Sequence, residues 1–67
     1  MDTTKRAWLK VVTHEDKSEN FDVMLIDDAA GPRPVEVNCI NARDADELME
    51  ILRRSNFEIG ENEYFRY

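Results

Sequence analysis

The chain has 67 residues, of which 42% are hydrophobic and 36% are charged. This length predicts a single domain over residues 1–67, with a small core. Fifteen acidic residues against nine basic ones give a net charge of -6, which argues against direct binding to nucleic acid. No apolar run approaches the about 20 residues of a membrane span, and a single cysteine excludes an internal disulfide. We therefore expect a cytoplasmic protein without a signal peptide that does not enter membranes.

The N-terminal part of the chain predicts two strands. Residues 1–5 are expected to form a flexible N-terminus. Residues 7–13 are rich in β-branched and aromatic side chains, which is typical of a strand. After a polar loop over residues 14–20, residues 21–26 alternate at first and then become apolar on both sides. These features predict a second strand that follows the first in a meander.

A turn, a third strand and one helix follow. Residues 27–34 contain a Gly-Pro step and a second proline, which interrupt any strand ladder. Residues 35–40 alternate again and predict the third strand. A helix is expected near residues 44–54, with Asn41 or Asp44 as its cap and arginines in its last turn. Its apolar stripe consists of Ala45, Leu48, Ile51 and Leu52.

The C-terminal segment completes the architecture. Residues 64–67 predict a terminal strand, and a short extra strand is expected around Glu58. The order β-β-β-α-β predicts an α+β fold, a small two-layer sandwich with a roughly four-stranded, mostly antiparallel sheet and one helix on one face. A right-handed crossover would bring the last strand parallel to a neighbour, and we place it beside the first strand.

The sheet face that a single helix leaves uncovered is the main candidate site. If the helix covers the side of the first strand that carries Leu9, the opposite side is apolar and can be extended by Tyr64 or Phe65. Two alternatives are that Trp8 points inward, or that residues 27–34 fold over the patch. Exposed apolar patches with Trp and Tyr mark interfaces. The candidate partner-binding residues are Trp8, Val12, Met24, Ile26 and Tyr64.

Acidic side chains concentrate in the loops at the two ends of the second strand. Six residues at about 3.3 Å each separate these loops by roughly 20 Å. Two negative clusters could bind a basic groove on another protein, whereas the simpler interpretation is that they keep a small domain soluble. The candidate acidic surface consists of Glu15, Asp16, Glu19, Asp27 and Asp28.

Catalytic and metal-binding chemistry is not predicted. His14 is the only histidine, and Cys39 alternates with Val37, which favours a packed thiol over a nucleophile. His14, Glu15 and Asp16 lack the spacing of a calcium loop and are interpreted as a solvated loop. One cysteine and one histidine do not provide the usual zinc ligands. We therefore expect no enzymatic activity, no cofactor and no metal.

Three functions remain open from the sequence. The first is a small acidic protein–protein interaction module that acts through the uncovered sheet face, by self-association as a homodimer or by binding a larger partner. The second is an acidic inhibitor of phage type that occupies a basic nucleic-acid-binding groove on a host enzyme. The third is an accessory subunit of an enzyme whose chemistry lies elsewhere.

Overall fold

One helix packs on one face of a five-stranded mixed sheet, which confirms the α+β class and the two-layer arrangement. The computed structural model describes residues 4–31 and 33–67. The sheet order is β3-β2-β1-β4, and β5 also pairs with β1. The elements are β1 (Lys5–Thr13), β2 (Glu19–Asp27), β3 (Val35–Cys39), α1 (Ala42–Arg54), β4 (Glu58–Ile59) and β5 (Glu63–Arg66).

A long antiparallel hairpin of β1 and β2 forms the middle of the sheet. Both strands have 9 residues and extend beyond the apolar segments that predicted them. The extension at one end places Lys5 directly opposite Asp27. Opposite charges at facing positions stabilise antiparallel pairs, and simple hydrophobic alternation does not detect them. In the hairpin loop, the Asp16 carboxylate accepts hydrogen bonds from the Ser18 hydroxyl and amide.

The helix begins at Ala42, two residues before its predicted start. Asn41 is its N-cap, and the Asn41 side chain accepts a hydrogen bond of 2.9 Å from the amide of Asp44. Asn41 therefore supplies the cap, and Asp44 lies inside the first turn. β3 ends at Cys39, so Ile40 belongs to the bend before the helix and is 90% exposed.

The terminal strands lie parallel to β1, as the crossover predicts. Arg6 is in register with Glu58 of β4, and Lys10 is in register with Glu63 of β5. Residues 60–62 between these two short strands are not in strand conformation. The amide of Gly60 still donates a hydrogen bond of 2.8 Å to the carbonyl of Ala7, which keeps this connecting segment close to β1.

The core lies between α1 and the sheet face that carries Ala7 and Val23. Ala7, Val23 and Ala45 are fully buried, and Leu52 is 8% exposed. The core is completed by half-buried side chains that include Leu9, Phe21, Leu25, Val37, Cys39, Leu48, Met49 and Phe57. Leu9 therefore faces the helix, and the alternation of β1 places Trp8 on the opposite face.

One member of the predicted helix stripe lies outside the core. Ile51 is 58% exposed, whereas Met49 packs against the core cluster. Met49 is four residues after Ala45 and three before Leu52, which is the spacing of side chains on one helix face. Ile51 is six residues after Ala45 and falls on a different side of the helix.

Part of the predicted flexible N-terminus and of the predicted turn lies outside the described residues. Residues 1–3 and Pro32 belong to this group. The carbonyl of Thr4 accepts a hydrogen bond from the amide of Asp28, and Lys5 already belongs to β1. Within the described residues, no helix has the length and apolar character needed to span a bilayer.

Candidate functional site

The open face is the sheet face opposite α1. It carries the side chains that alternate with the core-facing positions of the central strands and the corresponding positions of β5. Neighbouring strands arrange these side chains in rows across the sheet. The rows are Ile26 with Arg6 and Glu58, Glu36 with Met24 and Trp8, Asn38 with Asp22, Lys10 and Glu63, and Asn20 with Val12 and Phe65.

Three of the predicted partner-binding residues lie together at one end of the open face. Trp8 is directly opposite Met24, and Ile26 follows on the same strand face two residues later. All three side chains are half-buried. The described part of the turn after β2 lies elsewhere, since Ala30 and Gly31 line a groove with Leu25 and other residues of the core-facing side of the sheet. These described turn residues leave the patch of Trp8, Met24 and Ile26 uncovered.

An open groove of about 460 Å³ borders this apolar patch. The groove lies at the segment between β4 and β5, where strand pairing is interrupted. Gly60 in this segment contributes no side chain to fill it. Trp8 lines this groove, and its indole nitrogen is buried and has no hydrogen-bond partner among the described residues. A buried donor without an acceptor costs about 1–3 kcal/mol. The groove is lined by Arg6, Trp8, Ile26, Gly60, Glu61 and Glu63.

A polar row divides the open face and was missed in the sequence interpretation. Asp22 is only 6% exposed and lies opposite Lys10. The Lys10 ammonium is 3.8 Å from a Glu36 carboxylate oxygen and 5.3 Å from the centre of the Phe65 ring. The sequence contained this signal, because Lys10 occupies the open-face position between Trp8 and Val12 on β1. The apolar surface is therefore two patches separated by charges.

Val12 and Tyr64 do not belong to the exposed patch. Val12 faces the same side as Trp8 but is only 6% exposed. Tyr64 is in register with Val11, which places it on the opposite side of the sheet, and it is 72% exposed. Phe65 takes the open-face position beside Val12 and is 42% exposed.

The predicted acidic residues lie at opposite ends of the hairpin, as expected. Glu15, Asp16 and Glu19 are at the loop end, and Asp27 and Asp28 are at the other end of β2. Two of them have local structural roles. The Ser18 hydroxyl and amide hold the pKa of Asp16 below its ordinary value, and the Asp27 carboxylate accepts a hydrogen bond from the amide of Ala29. These hydrogen bonds stabilise tight turns and need no partner protein.

Cys39 packs against the core cluster, and His14 packs against Tyr67. Burial raises the pKa of the Cys39 thiol, and Asp44 and Asp22 add to the effect. A raised pKa disfavours the reactive thiolate. The ring of His14 stacks on that of Tyr67 at 6.0 Å. No group of three or more metal-ligating side chains occurs in residues 4–31 and 33–67, and the absence of a metal requirement stays a prediction.

No protein-family model, curated protein or solved structure matches this chain. We therefore base the functional proposal on the geometry of the open face.

Proposed function

We propose that this chain is a protein–protein interaction module that contacts its partner through the open face. The observation that supports the proposal is the position of Trp8, Met24 and Ile26 beside an open groove on the face opposite α1. Trp is enriched among residues that dominate binding energy, and its truncation in an interface centre typically costs about 2 kcal/mol or more.

The groove supplies features that an apolar patch alone would lack. A partner side chain can enter beside Trp8, whose large ring lines the groove. Glu61 and Glu63 outnumber Arg6 at the rim, so the rim favours a partner with basic side chains. The patch would provide affinity, and the rim would provide selectivity and orientation.

Two occupants fit this surface, namely a second copy or a larger protein. A two-fold dimer would let the patch cover itself. The test uses Ile26→Asp on the open face and Ile51→Asp on the exposed side of α1 as the matched control. Each variant is immobilised for capture from native lysate and also run in sedimentation velocity.

We expect Ile26→Asp to lose partner binding or self-association while its thermal midpoint stays close to that of the wild type. Ile51→Asp should behave as the wild type in both assays. If Ile26→Asp retains all binding, or if both variants lose the same partners, the open face is not the interface. If Ile26→Asp unfolds the domain, Met24→Lys at the neighbouring half-buried position decides the question.

A further inference from the structure

The outer edge of β3 is an unpaired strand edge within the described residues. β3 pairs with β2 on one side, and no described strand lies on its other side. Val35 is 54% exposed at its beginning, and Ile40 is 90% exposed directly after its end. The strand contains no lysine, no proline and no bulge. Edges without such features readily pair with another strand.

The opposite edge of the sheet also carries exposed apolar side chains, but its strands are shorter, interrupted and richer in negative charge. β4 and β5 have only 2 and 4 residues and are separated by residues 60–62. Glu58, Glu61 and Glu63 add negative charge along this edge. Short, interrupted and charged strands are the devices by which proteins prevent edge pairing. The contrast singles out β3 as the edge that is open to another strand.

We propose that β3 pairs with β3 of a second copy of this chain, antiparallel, about a two-fold axis at Val37. The axis stands perpendicular to the sheet, so both helices stay on one side and both open faces on the other. Facing residues must then come from the same sheet face in each copy. In this register Val37 faces Val37, Val35 faces Cys39, and Glu36 faces Asn38 of the second copy.

The charge pattern of β3 selects this register over its neighbours. An axis at Glu36 would place two glutamates directly opposite each other, which destabilises antiparallel pairs. An axis at Asn38 would place Val35 opposite Asn41, the N-cap of α1. The axis at Val37 pairs all five residues of the strand, keeps apolar side chains together and gives Glu36 an amide neighbour.

This dimer goes beyond the proposed function and uses a different surface. The two open faces would lie side by side in one continuous sheet and remain available to a larger partner. A partner with two binding sites would then gain affinity through effective concentration rather than through new contacts. A variant can consequently lose edge pairing and keep open-face binding, or the reverse, so the two proposals are tested separately.

The first test is a disulfide between Val35→Cys and the native Cys39 of the second copy. Facing Cα atoms in antiparallel pairs are about 4.5–5.5 Å apart, within the range of a disulfide. Within one chain the two positions are four residues apart on one strand, about 13 Å, so they cannot bridge. Mild oxidation at alkaline pH, followed by peptide mapping, identifies the bridge, and Ile51→Cys on the exposed side of α1 is the control.

We expect a covalent dimer with the 35-to-39 linkage at a yield several-fold above that of the control. A yield equal to that of Ile51→Cys would overturn the proposal. A dimer linked only through 35-to-35 or 39-to-39 would overturn it as well.

A second test changes charge at the exposed Asn38 position and needs no cysteine. Asn38→Lys would face Glu36 of the second copy, and Asn38→Glu would set two like charges opposite each other. Because each pair occurs twice, we expect the dimer dissociation constant to change by about tenfold in opposite directions. Asn62→Lys and Asn62→Glu are matched controls outside β3. A monomer at every concentration, or equal shifts at both positions, contradicts edge pairing.

Discussion

Phe65 of β5 lies in register with Val12 of β1, and the Lys10 ammonium lies over the Phe65 ring. Val12 is 6% exposed although it is on the face opposite the helix. Phe65 is therefore part of the open face, whereas its neighbour Tyr64 belongs to the other side. The parallel pairing of the last strand decides which aromatic side chain contributes to the site.

This register predicts different effects for two adjacent aromatic residues. Phe65→Ala removes the side chain beside Val12 and the partner of the Lys10 ammonium. We expect it to lower the free energy of unfolding by about 0.5–3 kcal/mol, the usual range for loss of packing. Tyr64→Ala changes a side chain that is 72% exposed and should stay within about 0.5 kcal/mol of the wild type. Urea denaturation measures both, and equal losses would contradict the register.

The core predicts a similar contrast within one turn of the helix. Leu52 is 8% exposed, and Ile51 is 58% exposed. Leu52→Ala should cost about 2–5 kcal/mol, because it removes buried methyl groups and leaves a cavity. A domain of this size has little stability to spare, so partial unfolding at room temperature is expected. Ile51→Ala is the control and should change the denaturation midpoint only slightly; an equal shift would contradict the helix orientation.

Much of the fold could be predicted from the sequence, because alternation and helical spacing record which face is buried. The faces of β1 followed from Leu9 and Trp8, and the parallel last strand followed from the crossover. The position of Ile51 was wrong, since a six-residue spacing from Ala45 does not keep one helix face. For the last strand, a run of aromatic and charged residues carries no alternation that reveals its register.

The candidate site was predictable only in part, because alternation shows the face of a side chain but not its neighbours on other strands. Trp8, Met24 and Ile26 share a face by simple alternation, and the structure places them together. The buried Asp22 and the groove at Gly60 depend on how strands pair across the sheet and where the last strand breaks. These features arise from contacts between distant segments, which one-dimensional patterns do not contain.

The hairpin loop predicts a pH effect. The Ser18 hydroxyl and amide hold the pKa of Asp16 below its ordinary value. A carboxyl with a lowered pKa in the folded state stabilises the fold above its ordinary pKa, and this contribution is lost as the pH falls through the folded pKa. Ser18→Ala should move the Asp16 pKa upward, as measured by NMR titration of its carboxyl carbon. Ser55→Ala at the helix end is the control, and an unchanged Asp16 pKa in Ser18→Ala would contradict the hydrogen bonding.

The acidic residues predict how binding responds to salt. If the acids of the two hairpin ends only keep the domain soluble, the salt dependence of binding should come from the groove rim alone, since screening acts on exposed charges at the contact. The double variant Asp27→Asn/Asp28→Asn should then bind as the wild type does. A steep loss of affinity with salt, together with weaker binding by the double variant, would instead support the inhibitor hypothesis. Isothermal titration calorimetry with the captured partner measures both.

The most direct test of the open-face proposal uses the single tryptophan of the chain. Trp8 replaced biosynthetically by 5-fluorotryptophan gives one fluorine NMR resonance, which reports on the apolar patch of the open face in any mixture. We predict that this resonance shifts and broadens when the captured partner is added, and that the Met24→Lys variant abolishes the change. A complex that forms by sedimentation velocity while the Trp8 resonance stays unmoved would contradict the account.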